Sequence, residues 1–453
     1  MFEDTIAGIS TAFGESAISI IRISGSKSIE IINSIFTKNL TEQSSHTIHY
    51  GKIVDPDENS IVDEVLVSLF KAPKTYTRED IIEINCHGGI YATEKILEIV
   101  LNQGARIAEP GEFTKRSFLN GRIDLVQAES IMDIIHSKTE ESLVLANKGL
   151  DGKLSLLIKT LREKILDIIA HIEVNIDYPE YDDVIEMTNT DLFPKMEEII
   201  NEMDIILEAS KTGKVIREGI KTAIIGRPNV GKSSLLNNLL QEDKAIVTHI
   251  EGTTRDIVEG EIKIGGIVLH LIDTAGIRKT DNVIEEIGIE KSKKMIDEAE
   301  LILFVLNGNE ELTEEDIDLY NKVKNKNHIV LVNKSDLEQK INYVTIESNN
   351  ILKISALNDV GFKELNNKIK KLFQLNKIGN KDLTYLSNSR HIHLLKESKK
   401  SLKSAINNVK LGMPIDIAEV DIKNAWDYLG EILGDSVKDE LLDELFSKFC
   451  LGK

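Results

Sequence analysis

The sequence is poor in cysteine, in long apolar runs and in positive charge. Cys86 and Cys450 are the two cysteines in 453 residues. Two thiols cannot build a disulfide framework, which excludes the disulfide-stapled secreted class and points to a reducing cytosol. No apolar run approaches ~18 residues, the length a membrane-spanning helix needs. The opening MFEDTIAG lacks the basic stretch that begins a secretory signal. Against 75 Asp and Glu stand 55 Lys and Arg, a formal net charge of -20. That balance argues against non-specific coating of nucleic acid, yet it allows recognition through a local basic face. Internal repeats and low-complexity tracts are absent. The expectation is a cytoplasmic protein with no membrane contact.

Cys450 raises its own question, because it lies four residues from the C-terminus in FCLGK. The last four residues have the length of a prenylation box. Lys453 is the wrong terminal residue, however, Gly452 replaces an aliphatic one, and the upstream DELLDELFSKF is acidic and apolar instead of polybasic. A lipid anchor is not expected.

The length suggests about three domains. IAGIS, SAISIIRIS, VDEVLVSLF and EDIIEIN read as strands, and YATEKILEIVLNQG as a helix stopped by Gly104, followed by a polar loop, EPGEFTKRSFLNGRIDL. From about Leu125 the period becomes helical, with Leu161, Ile165, Ile168, Ile169, Ile172 and Ile176 on one face. A second α/β block starts near Glu218, and helices resume after about Leu375. The last helix places Val437, Leu441, Leu442, Leu445, Phe446 and Phe449 together. It delivers Cys450 to Lys453 as a flexible extension. Helices on both sides of an intact α/β block predict an insertion: an α/β domain over 1–120, a helical domain over 121–217 and 375–453, and an inserted domain over 218–374. Cys86 and His87 are adjacent on a strand, so they face opposite ways. With no other Cys or His at ligand spacing, they read as structural.

The inserted block carries the clearest chemistry. In TAIIGRPNVGKSSLLNNLL, Gly226-x-x-x-x-Gly231-Lys232-Ser233 joins an apolar strand to an apolar helix. Glycines let the backbone wrap a phosphate, and the N–H groups and helix N-terminus supply positive potential. Lys232 can reach the β- and γ-phosphates, and Ser233 can ligate magnesium. LHLIDTAG then supplies Asp273 for the magnesium shell and Gly276 for the γ-phosphate. HIVLVNKSD supplies Asn333, Lys334 and Asp336, whose carboxylate can accept both N–H donors of guanine. ILKISAL supplies Ser355 and Ala356, whose backbone can contact the guanine carbonyl. Their order makes GTP the ligand and the fold a Ras-like doubly wound P-loop sheet.

With DTIAGIST, GEFTKRSFLNGRIDLVQAE, IDYPEYDD and the FCLGK tail added, nearly the whole chain resembles the MnmE (TrmE) family of bacterial tRNA-modifying GTPases. The resemblance implies a GTP surface over Asn229, Val230, Gly231, Lys232, Ser233 and Ser234, and over Thr248, His249, Ile250, Glu251, Gly252, Thr253 and Thr254. It continues over Asp273, Thr274, Ala275 and Gly276, and over Asn333, Lys334, Asp336, Ser355, Ala356 and Leu357. Ile277 stands where many GTPases carry the glutamine that orients water. The resemblance implies that Glu285 does so instead, and that Asn229, Thr248, Ile250 and Thr253 hold a potassium ion in place of an arginine finger. Thr254 would join Ser233 on magnesium. G-domain dimerisation, a homodimer, would accompany potassium binding.

For the N-terminal block the resemblance implies a tetrahydrofolate-binding domain, with Arg22, Glu83, Arg122 and Lys453 on the folate. Arg122 stands where the family often has lysine, which keeps the charge and changes the geometry. The folate would be a 5-formyl or 5,10-methylene derivative, and Cys450, close to Lys453, would be a working thiol. The implied activity is modification of C5 of a tRNA wobble uridine with a flavoprotein partner, MnmG, which carries the FAD in a heterotetramer. A ribosome-assembly GTPase switch is the alternative reading; it would require a basic RNA-binding appendage, which the sequence does not display.

Overall fold

The computed structural model describes residues 4–177, 192–242, 260–272, 295–342, 344–375, 386–435 and 437–453. The chain forms two compact units: Met1–Met132 with Gly149–Glu163 and Trp426–Lys453, and Asp133–Lys148 with Lys164–Ala425.

In the first unit, β1 (Ile6–Ile9), β2 (Ile18–Ser24), β3 (Thr47–Asp55), β4 (Ser60–Phe70), β5 (Ile81–His87) and β6 (Arg106–Ile107) form one sheet in the order β3-β4-β5-β2-β1-β6. Strand alternation sends Ile21, Ile23, Val65, Val67, Ile82 and Ile84 to one face. There they bury against α1 (Ser28–Ile35) and α2 (Ile90–Asn102) through Ile31, Ile32, Ile96 and Val100. Arg22 and Glu83, paired across β2 and β5, therefore share the opposite face.

Three sequence expectations are corrected here. The strand β3 and the helix α1 stand where no element was anticipated, and the supposed polar loop contains a helix, α3 (Glu112–Leu119). The helix α3 looks polar because it is anchored by charge. Arg116 is fully buried among Asp4 (2.8 Å), Glu112 (3.0 Å) and Glu79 (3.2 Å). A buried cation is stable only with such partners, and they come from three separate segments.

The helical segments are α4 (Leu125–His136), α5 (Glu140–Leu150), α6 (Lys153–Asp177), α7 (Phe193–Glu218) and, beyond the inserted block, α11 (Ser389–Lys410), α12 (Ile415–Leu433) and α13 (Asp439–Ser447). Leu161, Ile165, Ile168, Ile169 and Ile172 of α6 are all buried. In the first unit Leu442, Phe446 and Phe449 cluster with Leu125 and Ala128.

The second unit holds the other sheet: β7 (Ile220–Ile225), β8 (Gly260–Ile264), β9 (Ile267–Leu271), β10 (Leu301–Asn307), β11 (His328–Asn333) and β12 (Ile351–Lys353). Its order is β12-β11-β10-β7-β9-β8, parallel except for β8. Every residue of β10 and β11 is buried, as strands covered on both faces must be. The helices α8 (Lys232–Glu242) and α10 (Phe362–Leu372) pack on one face, and α9 (Glu314–Val323) on the other. From β7 the chain runs to β9 on one side and later to β10 on the other. The carboxyl end of β7 is therefore the switch point where such sheets bind ligands. Among the described residues, no helix is long and apolar enough to cross a membrane.

Candidate functional site

The Gly226–Ser233 loop leaves β7 at that switch point. Its glycines are demanded by close packing. A Cβ on Gly226 would lie 2.3 Å from the Val305 carbonyl, and one on Gly231 would lie 2.1 Å from Asn333 Nδ2. Asn229 and Gly231 both adopt left-handed φ, 61° and 100°, which curls the loop around a concavity of backbone N–H groups at the start of α8. Val230 is buried as the loop's anchor, whereas Asn229, Ser233 and Ser234 are exposed at the mouth. Lys232 Nζ donates to the carbonyls of Gly226 and Arg227, each at 2.7 Å. Two of the ammonium's three donors thus brace the loop, and the third remains for a phosphate oxygen. Burial pushes its pKa below the usual lysine value, with Glu315 pulling weakly the other way. Arg227 is committed elsewhere: its Nε donates to the buried Asp316 at 2.8 Å.

The guanine side is assembled from β11 and the segment after β12. Asn333 is buried, and its amide is a tie. Nδ2 donates to the Val230 carbonyl at 2.9 Å, and Oδ1 accepts the Ala356 N–H at 3.0 Å. It therefore joins the phosphate loop to the base loop, a role sequence reasoning missed when it assigned Asn333 to the nucleotide alone. Lys334 follows at φ 63°, turning the chain so that Asp336 emerges exposed. Ser355, fully buried, donates its hydroxyl to Asp336 Oδ1 at 2.5 Å and accepts the Asn358 N–H at 3.2 Å. One carboxylate oxygen is thereby oriented. Asn238 of α8 donates to the Ala356 carbonyl at 3.3 Å, and Leu357 lies exposed beyond it. Thr248, His249, Ile250, Glu251, Gly252, Thr253, Thr254, Asp273, Thr274, Ala275, Gly276 and Glu285 lie outside the described residues.

In the first unit, Arg22 is the hub. Its Nε and Nη2 meet Glu83 Oε1 at 2.9 and 2.8 Å, and Nη1 donates to the Gly452 carbonyl at 3.3 Å. Its guanidinium carbon stands 5.7 Å from the Tyr76 ring centre and 5.6 Å from that of Phe113. Arg122 covers the same tyrosine at 4.9 Å and donates to its carbonyl at 3.1 Å. Glu83, Tyr76 and Arg122 line a cavity of about 380 Å³ with His46, Phe70 and Arg78. Tyr76 was not anticipated; an aromatic residue amid the polar turn KTYTRED was the available signal.

The flexible tail is also corrected. Gly452 is buried on β1 with its carbonyl bonded to Ser10 Oγ at 2.9 Å, Cys450 is exposed, and Lys453 is half-buried. Cys86 is buried, and burial pushes its thiol pKa up. His87 is exposed and bonded to Asp63 at 2.7 Å. Among the described residues, no cluster of three His, Cys, Asp or Glu side chains could hold a metal ion.

A doubly wound sheet with this phosphate loop and the Asn333–Asp336 and Ser355–Ala356 pairs defines a P-loop GTPase. Family comparison carries the assignment further. The description "MnmE helical domain" matches residues 125–450, and "GTP-binding protein TrmE N-terminus" matches residues 5–122. The tRNA modification GTPase MnmE of Bacillus cytotoxicus is 54% identical, with 99% of each chain covered. Those of Oceanobacillus iheyensis, at 51%, and Enterococcus faecalis, at 52%, are covered over 99% and 98% of their lengths, each against 99% of this chain. A solved G domain of the T. maritima FeoB iron transporter matches 34% of this chain and 98% of its own, at 25% identity and a TM-score of 0.26. The chain belongs to the MnmE family of tRNA modification GTPases.

Proposed function

We propose that the chain hydrolyses GTP to drive a conformational cycle. With the flavoprotein MnmG it adds a carboxymethylaminomethyl or aminomethyl group to C5 of the wobble uridine of certain tRNAs. The observation that carries this reading is the convergence of Arg22, Glu83 and the C-terminal tail in a chain whose other unit holds the phosphate and guanine loops. Glu83 already accepts paired N–H donors from Arg22. An amino-pyrimidine edge offers the same donor chemistry, so the pocket suits a pterin. Arg22, Arg122 and Lys453 suit the carboxylates of a folate's glutamate. A tetrahydrofolate derivative, in its 5-formyl or 5,10-methylene form, supplies a one-carbon unit when bound, and FAD belongs to the partner. Cys450, exposed two residues before the Gly452 that Arg22 holds, is the candidate working thiol.

At the nucleotide, Lys232 and the loop N–H groups hold the phosphates, and Asp336 and the Ala356 segment select guanine. Ser233 and Thr254 would hold magnesium. Asn229, Thr248, Ile250 and Thr253 would hold potassium, which would supply positive charge in the transition state. Glu285 positions the attacking water. The domains run over 1–120, 121–217 with 375–453, and 218–374, and the protein works in the cytoplasm as a homodimer bound to MnmG. Mass spectrometry of tRNA nucleosides from a deletion strain tests the reading: the wobble modification disappears, whereas unchanged wobble uridines refute it.

A further inference from the structure

We infer that Gly452 is a positioning residue. It latches the C-terminal tail onto β1, and through Arg22 it links tail docking to occupancy of the Glu83 pocket. The inference rests on the folate reading proposed above and adds to it a residue to which that reading gives no role.

Gly452 adopts φ +84°, a left-handed conformation, and a Cβ built there would lie 2.1 Å from the Ile9 carbonyl oxygen and 2.7 Å from Ser10 Cα. Those atoms are backbone and cannot swing aside. Ile9 pairs with Ile21 in the sheet, and the Ser10 N–H donates to the Ile20 carbonyl at 2.8 Å. An alanine at 452 would meet both backbone strain and overlap. The Gly452 carbonyl is meanwhile held by Ser10 Oγ at 2.9 Å and Arg22 Nη1 at 3.3 Å. Two residues earlier, the Cys450 carbonyl accepts the Gly111 N–H at 3.4 Å. The tail is thus fixed on both sides of Leu451, which is 64% exposed. Such ordering at a chain end requires specific ties, because termini otherwise fray.

Arg22 divides its donors between the two partners, Nε and Nη2 to Glu83 and Nη1 to Gly452. A ligand bound at Glu83 meets a guanidinium whose position the tail helps to set. Docking pre-organises that guanidinium beside Glu83, so docking favours binding. By linkage, binding favours docking to the same degree.

The test uses the full chain as wild type, Gly452→Ala and Ser10→Ala, with 5-formyltetrahydrofolate as the probe. Hydrogen exchange of the C-terminal peptide reads docking, titration calorimetry reads affinity, and GTP turnover and thermal melting serve as controls. We expect Gly452→Ala to lose tail protection and to weaken folate binding at least about tenfold. Ser10→Ala, which removes one hydrogen bond, should weaken it about fivefold or less. In wild type, the probe should deepen tail protection; in Gly452→Ala it should not. Turnover and melting should match wild type. A Gly452→Ala tail as protected as wild type overturns the latch. A released tail with wild-type affinity overturns the link to the pocket. If wild type binds no reduced folate, the folate reading and the link both fall, and the exchange comparison still decides the latch.

Discussion

Replacing Asn333 by alanine separates two roles that a sequence motif cannot tell apart. If Asn333 served the nucleotide alone, its removal would weaken GTP binding and leave the empty protein as stable as before. The structure gives it a second role, because its amide joins the Val230 carbonyl and the Ala356 N–H, with the side chain only 3% exposed. Truncation orphans one buried acceptor and one buried donor. Each orphan costs roughly 1–3 kcal/mol, so a loss of about 3 kcal/mol after relaxation is the expected scale. That corresponds to an opening equilibrium shifted about a hundredfold. Hydrogen exchange of β7 and β11 peptides across a urea series, in the nucleotide-free full chain, reads this locally. Asn333→Asp keeps an acceptor for Ala356 but sets a carboxylate oxygen against the Val230 carbonyl, so it should fare no better. Nucleotide-free Asn333→Ala with wild-type exchange stability, alongside lost GTP affinity, would refute the tie.

Three further outcomes follow from individual side chains. Lys232→Met should abolish measurable GTP binding by calorimetry, and in the nucleotide-free protein it sets the loss of the two donors to the Gly226 and Arg227 carbonyls against relief of a buried charge. Because burial depresses the Lys232 pKa, the charge penalty is present at neutral pH and relieved as pH rises towards the ordinary lysine value of about 10.4, so wild type should gain melting temperature relative to Lys232→Met over that range. Burial disfavours the charged form of Glu112, but bonds from Arg106, the Glu109 N–H and Arg116 outweigh it and hold the carboxyl below its usual range. That stability is full above the unfolded value of about 4.3 and lost as pH falls through the folded one. Glu112→Gln should therefore lower the stability of the first unit at pH 7 by about 2 kcal/mol or more in urea unfolding, with the difference fading towards acid pH. Asp336→Asn should lose preference for GTP over xanthosine triphosphate in competition binding, because an amide cannot accept both base donors; an unchanged preference would free Asp336 from base selection.

The phosphate loop was legible because its chemistry is local: spacing, a preceding apolar strand and a following apolar helix are contiguous in sequence. The α6 and α13 faces were legible for the same reason, since one period repeats along each helix. Where stability comes from distant partners, the sequence was silent. The helix α3 reads as polar because Arg116 finds its counter-charges at Asp4 and Glu79 as well as at Glu112. The β3 residues TIHYGKIVD mix polar and apolar side chains around Gly51, which tucks against the Phe36 ring; that neighbour belongs to a separate segment, just past the end of α1. The tail looked free because its lock, Ile9 and Ser10, stands at the opposite end of the chain. Asn333 was found as a motif letter, but its tie needed the fold.

The most direct measurement is nucleoside mass spectrometry of tRNA from a deletion strain complemented with wild type, Glu285→Ala or Cys450→Ser. Wild type should restore the wobble modification. Glu285→Ala should fail with GTP affinity retained and turnover slowed. Cys450→Ser should fail with normal melting and normal GTP turnover, because serine keeps the size and loses the thiolate chemistry. Full modification by Cys450→Ser would reduce the tail cysteine to a packing residue, and full modification by a hydrolysis-defective Glu285→Ala would contradict the claim that GTP hydrolysis drives the reaction.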